Sequence, residues 1–195
     1  MPIKAKPGEQ YTIRRKILKI FGAAFHIYDE NGSLVGYCKQ KAFKLKEDIR
    51  LYTDESMSEP LLTLAARSII DFGATYDITM PDGTHLGSLR RKGLKSTFLK
   101  DEWVIFDDEG TEIGMLKEKN LLMAILRRGD AAAFFPQRFE FFKTGSDEPV
   151  AAIRQHFNLF VYRLGLSILK DDEELDELLL LGATCLIAAI EGRQS

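Results

Sequence analysis

A chain of 195 residues with 45% hydrophobic and 29% charged residues has enough apolar material to bury its own core, as one large or two small domains. The formal net charge of −2 excludes a protein that holds nucleic acid or membrane through overall positive charge, so any such surface has to be local. Two cysteines, Cys38 and Cys185, both in apolar surroundings, make neither a disulfide framework nor a metal signature, which fits a reducing cytoplasm.

Residues 1–10, "MPIKAKPGEQ", read as an N-terminal tail. They lack the apolar stretch of a signal peptide, and Pro2 stands where N-myristoylation requires glycine. A first strand is expected over Tyr11–Ile20. From Phe25 begins "FHIYDENGSLVGYCKQK", the first of three segments that align without gaps. The others are "YDITMPDGTHLGSLRRK" from Tyr76 and "WVIFDDEGTEIGMLKEK" from Trp103. Each opens on an aromatic, with Ile two residues later (Ile27, Ile78, Ile105). Glycine follows at the eighth place (Gly32, Gly83, Gly110) and again at the twelfth (Gly36, Gly87, Gly114). Alternation with period 2 marks a strand, and "DENG", "MPDG" and "DDEG" mark hairpin loops in which Gly takes a left-handed conformation. The second Gly falls in the return strand, where a missing side chain admits other backbone.

Weaker copies lie between and after these units. "IRLYTDESMSEPLLTLAAR" starts near Ile49 and "FEFFKTGSDEPVAAIRQ" near Phe139, while Phe21-Gly22-Ala23 lines up with Phe72-Gly73-Ala74. An irregular insertion, "RRGDAAAFFPQ", precedes the last copy. The period of about 26 residues runs through the midpoint of the chain, so residues 11–191 are expected to be one domain. Five hairpins, the first strand and a last one at about Phe157–Ile168 give about twelve strands.

The chain then changes character. "LLLLGATCLIAAIE", residues 178–191, has no polar face, and a helix that is apolar all round must be enclosed by protein or by lipid. From Leu178 to Ile190 there are 13 near-apolar residues, about 20 Å of helix against a hydrocarbon core of roughly 30 Å. Upstream stands "DDEELDE" with six acids, suited to the positive end of a helix dipole. A helix over about 172–190, enclosed by protein, is therefore expected, with 192–195 as a C-terminal tail. Twelve strands supply the enclosure. A barrel of eight strands fills itself with side chains, whereas one of eleven or more has room for a central helix. The expected fold is mainly β: a closed antiparallel barrel of about twelve strands around a central hydrophobic C-terminal α-helix.

With these residues in place, the chain resembles the tubby C-terminal-like superfamily, whose members include the LURP-one-related proteins and the phospholipid scramblases. The resemblance covers about residues 10–191. It rests on the hairpin unit "F-x-I-x-D-x-x-G", the strand count and the apolar C-terminal helix. "LLGATCLIAAIE" is similar to the scramblase ending "LGACFLIDF" at Leu181, Gly182, Ala183, Leu186 and Ile187, the expected structural core of the helix. The resemblance implies a tubby-like barrel and an association with membranes or phosphoinositides. It also has limits. The palmitoylated cysteine cluster and proline-rich N-terminal region of scramblases have no counterpart here. The segment matching their calcium site, "QHFNLFVYRLGL", holds no acid, so calcium-triggered scrambling is not expected.

No catalytic constellation stands out. His26, His85 and His156 share no ligand spacing, no "G-x-S-x-G" is present, and no glycine-rich loop leads from strand to helix. "DDEGTE" at Asp107–Glu112 lacks the length and the final Glu of a calcium loop and reads as a turn. No enzyme activity, metal, cofactor or nucleic-acid partner is expected.

One recurring feature points to a partner. The fifteenth and seventeenth places of the three repeats are basic: Lys39 and Lys41, Arg90 and Lys92, Lys117 and Lys119. Two residues apart on a strand, each pair projects from one side, and with a helix inside that side is the outside. Arg91 and Lys95 add to the middle pair, and Arg14, Arg15, Lys16 and Lys19 add a basic run near the start. These eight residues of the repeats form the expected contact with anionic phospholipid or phosphoinositide. The other expected reading is a soluble cytosolic scaffold that binds another protein, its lysines serving only solubility. The expected location is the cytoplasm, at the membrane periphery if the lipid reading holds.

Overall fold

The three aligned segments each fold as a β-hairpin, and their first and third residues point the same way. Phe25, Tyr76 and Trp103, with Ile27, Ile78 and Ile105, line one continuous buried face. The computed structural model describes residues 8–15, 24–40, 48–67, 74–92, 102–119, 136–156 and 161–191. Among them are twelve strands: β1 Tyr11–Arg15, β2 Ala24–Asp29, β3 Leu34–Gln40, β4 Asp48–Tyr52, β5 Pro60–Ala66 and β6 Thr75–Thr79, followed by β7 His85–Arg91, β8 Glu102–Phe106, β9 Glu112–Glu118, β10 Arg138–Lys143, β11 Pro149–His156 and β12 Arg163–Ile168. One helix follows, α1, Glu177–Glu191.

Each strand pairs antiparallel with its neighbours in sequence, and β12 pairs with β1 to close the barrel. The seam runs from Tyr11 opposite Leu166 to Arg14 opposite Arg163. All five hairpins carry a register shift just before the loop, as at Ile27/Tyr28, Ile78/Thr79 and Ile105/Phe106. The turn chemistry explains the recurrence. In β2–β3 the Asp29 carboxylate accepts the N–H groups of Asn31 and Ser33, and in β8–β9 that of Asp107 accepts from Thr111. Gly32, Gly83 and Gly110 each close their turn at a φ of 84–90°.

Inside, α1 is buried from Leu179 to Ala189, including Leu181, Gly182, Ala183, Leu186 and Ile187. Its one hydroxyl in this stretch, Thr184, donates to the Leu180 carbonyl at 2.7 Å, so no polar group is left wanting against the wall. Small residues set the spacing. A Cβ on Gly182 would sit 3.1 Å from Ile78 Cδ1. One on Gly114 would lie 2.6 Å from the Phe142 carbonyl and 3.3 Å from Leu175, and one on Gly87 would strike the Phe106 carbonyl. The strand glycines expected to admit close backbone do so at Gly87 and Gly114; at Gly36 the neighbour is the Ile27 side chain. Cys38 and Cys185, far apart in sequence, meet in this core. A hydrogen bond to the Cys185 thiol, then burial, pushes the Cys38 thiol well above its ordinary pKa.

Two expected boundaries move. The helix starts at Glu177 and not near 172, because the acids before it engage the backbone first. Asp172 accepts the N–H groups of Glu174 and Leu175, and Asp176 caps the helix by accepting from Leu179 at 2.8 Å. The last strand is β12, opening at Arg163 and not at Phe157; residues 157–160 lie outside the described residues. So do residues 16–20 of the expected first strand.

Candidate functional site

The alternation of the strands decides where each base of the repeats goes. Leu89, Leu116 and Cys38 face α1, so Arg90, Lys92, Lys117, Lys119 and Lys39 project outward. Arg91 does not join them: it shares the inner-face register of Leu89 and Trp103, with its guanidinium 5.8 Å from the Trp103 ring centre. Lys41 and Lys95 lie outside the described residues. The outward bases on β7 and β9 are separated by β8 alone, about 10 Å at ordinary strand spacing. Lys39 stands four strands from β7, roughly 19 Å around the wall. The described bases of the three repeats thus make one group on β7 and β9, joined by Arg138 on β10, with Lys39 apart on β3.

Each member of the group lies against an aromatic ring, an acid or a thioether. The Arg90 guanidinium stacks 4.6 Å over Phe106, and Lys117 Nζ lies 5.3 Å over Phe142, the same geometry in successive repeats. Lys92 lies 3.6 Å from Glu102 and 3.4 Å from the Met115 sulfur. Lys119 and Arg138 share Glu140, at 2.7 and 3.2 Å. Two carboxylates are thus interleaved with five bases, leaving the group net positive.

A larger pattern appears once strand directions are known. All described hairpin loops and the β12–α1 connection lie at one end of the barrel. The connections 30–33, 53–59, 80–84, 107–111, 144–148 and 169–176 hold fifteen Asp and Glu against one base, Lys170. The odd-numbered strands run toward the other end and finish on or near bases: Arg15 in β1, Lys39 in β3, Arg67 after β5, Arg91 and Lys92 at β7, Lys117 and Lys119 at β9, Arg154 in β11. The N-terminus of α1 enters at the acidic end, with its dipole aligned to suit both. Lys143, a base that does reach the acidic end, is held charged by Glu174 and Asp172.

The histidines do not converge. His26 on β2 meets Glu55, which the β4–β5 loop brings over the outer wall. His85 on β7 lies 3.4 Å from Asp77, which also takes a forked bond from Arg67. His156 on β11 lies 2.8 Å from the Glu9 carboxylate, and this pair is buried on both sides. Glu9 lies directly on Gly165, where any side chain would displace it. Nothing local in the sequence links Glu9 to His156; only the barrel seam brings them together. Among the described residues no three His, Cys, Asp or Glu are grouped to hold a metal ion. No described helix is long and apolar enough to cross a membrane.

A twelve-stranded antiparallel barrel closed around its own C-terminal helix defines the tubby-like class of protein. The LURP-one-related family model matches residues 9–180, and the chain belongs to that family, a branch of the tubby-like superfamily. No curated protein and no solved structure matches it.

Proposed function

We propose that this LURP-one-related barrel is a non-enzymatic module that associates with anionic membrane lipid, in the cytoplasm, through bases on the outer faces of its strands. The observation that carries the reading is the grouping of Arg90, Lys92, Lys117, Lys119 and Arg138 on the outer wall of β7, β9 and β10. Near an anionic bilayer each such base contributes about 1 kcal/mol. Stacking on Phe106 and Phe142 holds two of the charges outward without neutralising them. Calcium has no part in this reading, because Asp107 and Asp172 are taken up by backbone N–H groups and by Lys143.

The test is flotation with phosphatidylserine vesicles at low salt. Replacing Arg90, Lys92 and Lys117 together by Gln should weaken binding on the order of 100-fold, from three charges at about 1 kcal/mol each. Exposed strand positions of this kind change stability by only about 0.5 kcal/mol apiece. A wild-type protein that ignores such vesicles would sink the lipid reading. A second reading, a protein-interaction scaffold, then takes its place. It is favoured by the exposed Leu34 and Leu169, and by the carboxylates Glu102 and Glu140 that already engage part of the basic group.

A further inference from the structure

The outer face of the barrel seam gathers positive charge around one carboxylate. Alternation turns Arg154 and His156 of β11, Arg163 of β12 and Arg14 of β1 outward, and the register sets His156 opposite Arg163 and Arg163 opposite Arg14. Like charges directly opposite one another on paired strands repel, so the row calls for an anion. Strands β1, β11 and β12 contain no acid of their own. On the flanking strands Glu140 is held by Lys119 and Arg138, and Glu55 by His26. The carboxylate that does lie here is Glu9, in the space that Gly165 leaves on the wall by having no side chain. Thr12 and Arg154 flank Gly165 from the two neighbouring strands.

Glu9 does not use what the wall offers. Both of its oxygens face one donor, His156 Nε2, at 2.8 and 3.0 Å. The Thr12 hydroxyl, on a side chain 1% exposed, finds no hydrogen-bond partner, and neither does the buried Nε–H of Arg163. Buried donors are rarely left unpaired, because each one costs free energy. At strand spacing Thr12 lies about 5 Å and Arg163 about 7 Å from Gly165. A tetrahedral oxyanion over Gly165 offers enough acceptors for His156, Thr12 and Arg163 together, where a planar carboxylate spends both of its oxygens on one. Arginine also pairs with phosphate through strong, charge-assisted bonds. We infer that the seam over Gly165 binds a phosphoryl oxyanion, inorganic phosphate or a phosphate monoester, and that Glu9 is its internal stand-in. Exchange leaves the seam closed. Gln10 stays fixed by its N–H to the Leu166 carbonyl and by the Ile168 N–H to its own side chain, while Glu9 turns away beside Gly8, which sits at a φ of 82°. A monoester in water and one on a lipid headgroup share this chemistry, and neither needs the basic group on β7–β10.

Thermal melts in inorganic phosphate, against chloride at equal ionic strength and pH, test the site. Glu9→Gln removes the internal charge but keeps a side chain able to bond His156. Its melting temperature should rise saturably with phosphate and not with chloride. The apparent affinity should be roughly tenfold above that of wild type, in which the anion must first displace Glu9. Glu9→Asp, its carboxylate drawn back by one methylene, should fall between the two and carries the test if Glu9→Gln does not fold. Thr12→Val separates this site from surface charge at large. It exchanges an unpartnered hydroxyl for a methyl of the same shape, so alone it should leave the melt in chloride unchanged or slightly raised. Combined with Glu9→Gln it should cut the phosphate affinity several-fold. Glycerol 3-phosphate and phosphatidic acid vesicles tell the two sources apart. A melt shift with the soluble monoester assigns a dissolved ligand, and vesicle flotation strengthened by Glu9→Gln without such a shift assigns a headgroup. The inference is overturned if neither Glu9 variant responds to phosphate or to phosphatidic acid, or if Thr12→Val leaves the response untouched.

Discussion

Helix α1 and the outer wall of β7–β10 both carry long side chains at close quarters, but they are held by opposite means. In the lumen, position is fixed by volume: Leu186 and Ile187 are fully enclosed, and the spacing depends on Gly87, Gly114 and Gly182 having no side chain. On the outer wall, position is fixed by charge and ring faces in contact with water, as where Arg90 lies on Phe106 or Lys119 on Glu140. Close-packed interiors do not accommodate a change of even one methylene cheaply, whereas solvated ion pairs are worth little. The lumen is therefore where the fold is specified, and the wall is where the sequence is free to serve a partner.

The sharpest way to break this comparison uses one helix. Leu186→Asp puts a carboxylate into the lumen at a cost of several kcal/mol, against a typical total stability of about 5–15 kcal/mol. No soluble protein with a cooperative melt should be recovered. Leu178→Asp, in the same helix but 38% exposed, should melt within about 0.5 kcal/mol of wild type. If both variants melt normally, α1 is not the core of the barrel.

The buried Glu9–His156 pair should behave like the lumen although it lies on the outer side. His156→Ala removes one partner of a buried carboxylate and should cost about 3–5 kcal/mol in denaturant unfolding. His26→Ala should cost clearly less, because its Glu55 is half exposed and returns to water. Equal losses would show that burial of the acid is not the deciding variable.

Smaller again is the glycine contrast. Gly87→Ala forces a Cβ against the Phe106 carbonyl at a φ of 152° and should cost about 2 kcal/mol. Gly83→Ala meets open space and carries only the backbone strain of its φ of 90°, about 1 kcal/mol. Thermal melts of the two variants against wild type give the order directly.

The least effect is expected at the acidic end. Burial pushes the Asp172 carboxyl up, but the N–H groups of Leu175 and Glu174 and the Lys143 ammonium outweigh it, leaving the pKa below its ordinary value. A carboxylate with a depressed folded pKa stabilises the fold above the unfolded pKa of about 3.9, and that stabilisation is lost as pH falls through the folded value. Asp172→Asn should therefore cost about 1 kcal/mol at neutral pH, and the gap to wild type should close below about pH 4. A gap independent of pH would assign the loss to shape and not to charge.

How much of this could be read from the chain follows the same division. The aromatic, Ile and two Gly of each repeat are imprinted by lumen packing and turn geometry, so strand count, closure and the buried helix were legible. The start of α1 was not, because acids that suit a helix dipole also bond backbone N–H groups, and Asp172 and Asp176 do the latter. Arg91 was grouped with Arg90 and Lys92 by sequence adjacency, yet strand alternation turns the middle of three bases to the other face. The Cys38–Cys185 and Glu9–His156 contacts leave no local mark, since insertion of α1 creates the first and barrel closure the second. The sorting of charge along the axis was present in every repeat, acid in the turn and base at the return, but strand direction was needed to see it.

The order of parts along the chain has a consequence for biosynthesis. Every strand but β1 and β12 pairs only with its immediate predecessor and successor, so hairpins can form one by one as the chain leaves the ribosome. Their inner faces nevertheless stay unfilled until α1, encoded after all twelve strands, has emerged, and the β1–β12 seam waits equally long. Stable folding is thus a late event that couples plug insertion to ring closure, and such non-local topologies form slowly. In the interval the nascent chain shows Phe25, Trp103, Phe139 and Phe141 to solvent, a row of apolar strands that general chaperones are suited to shield.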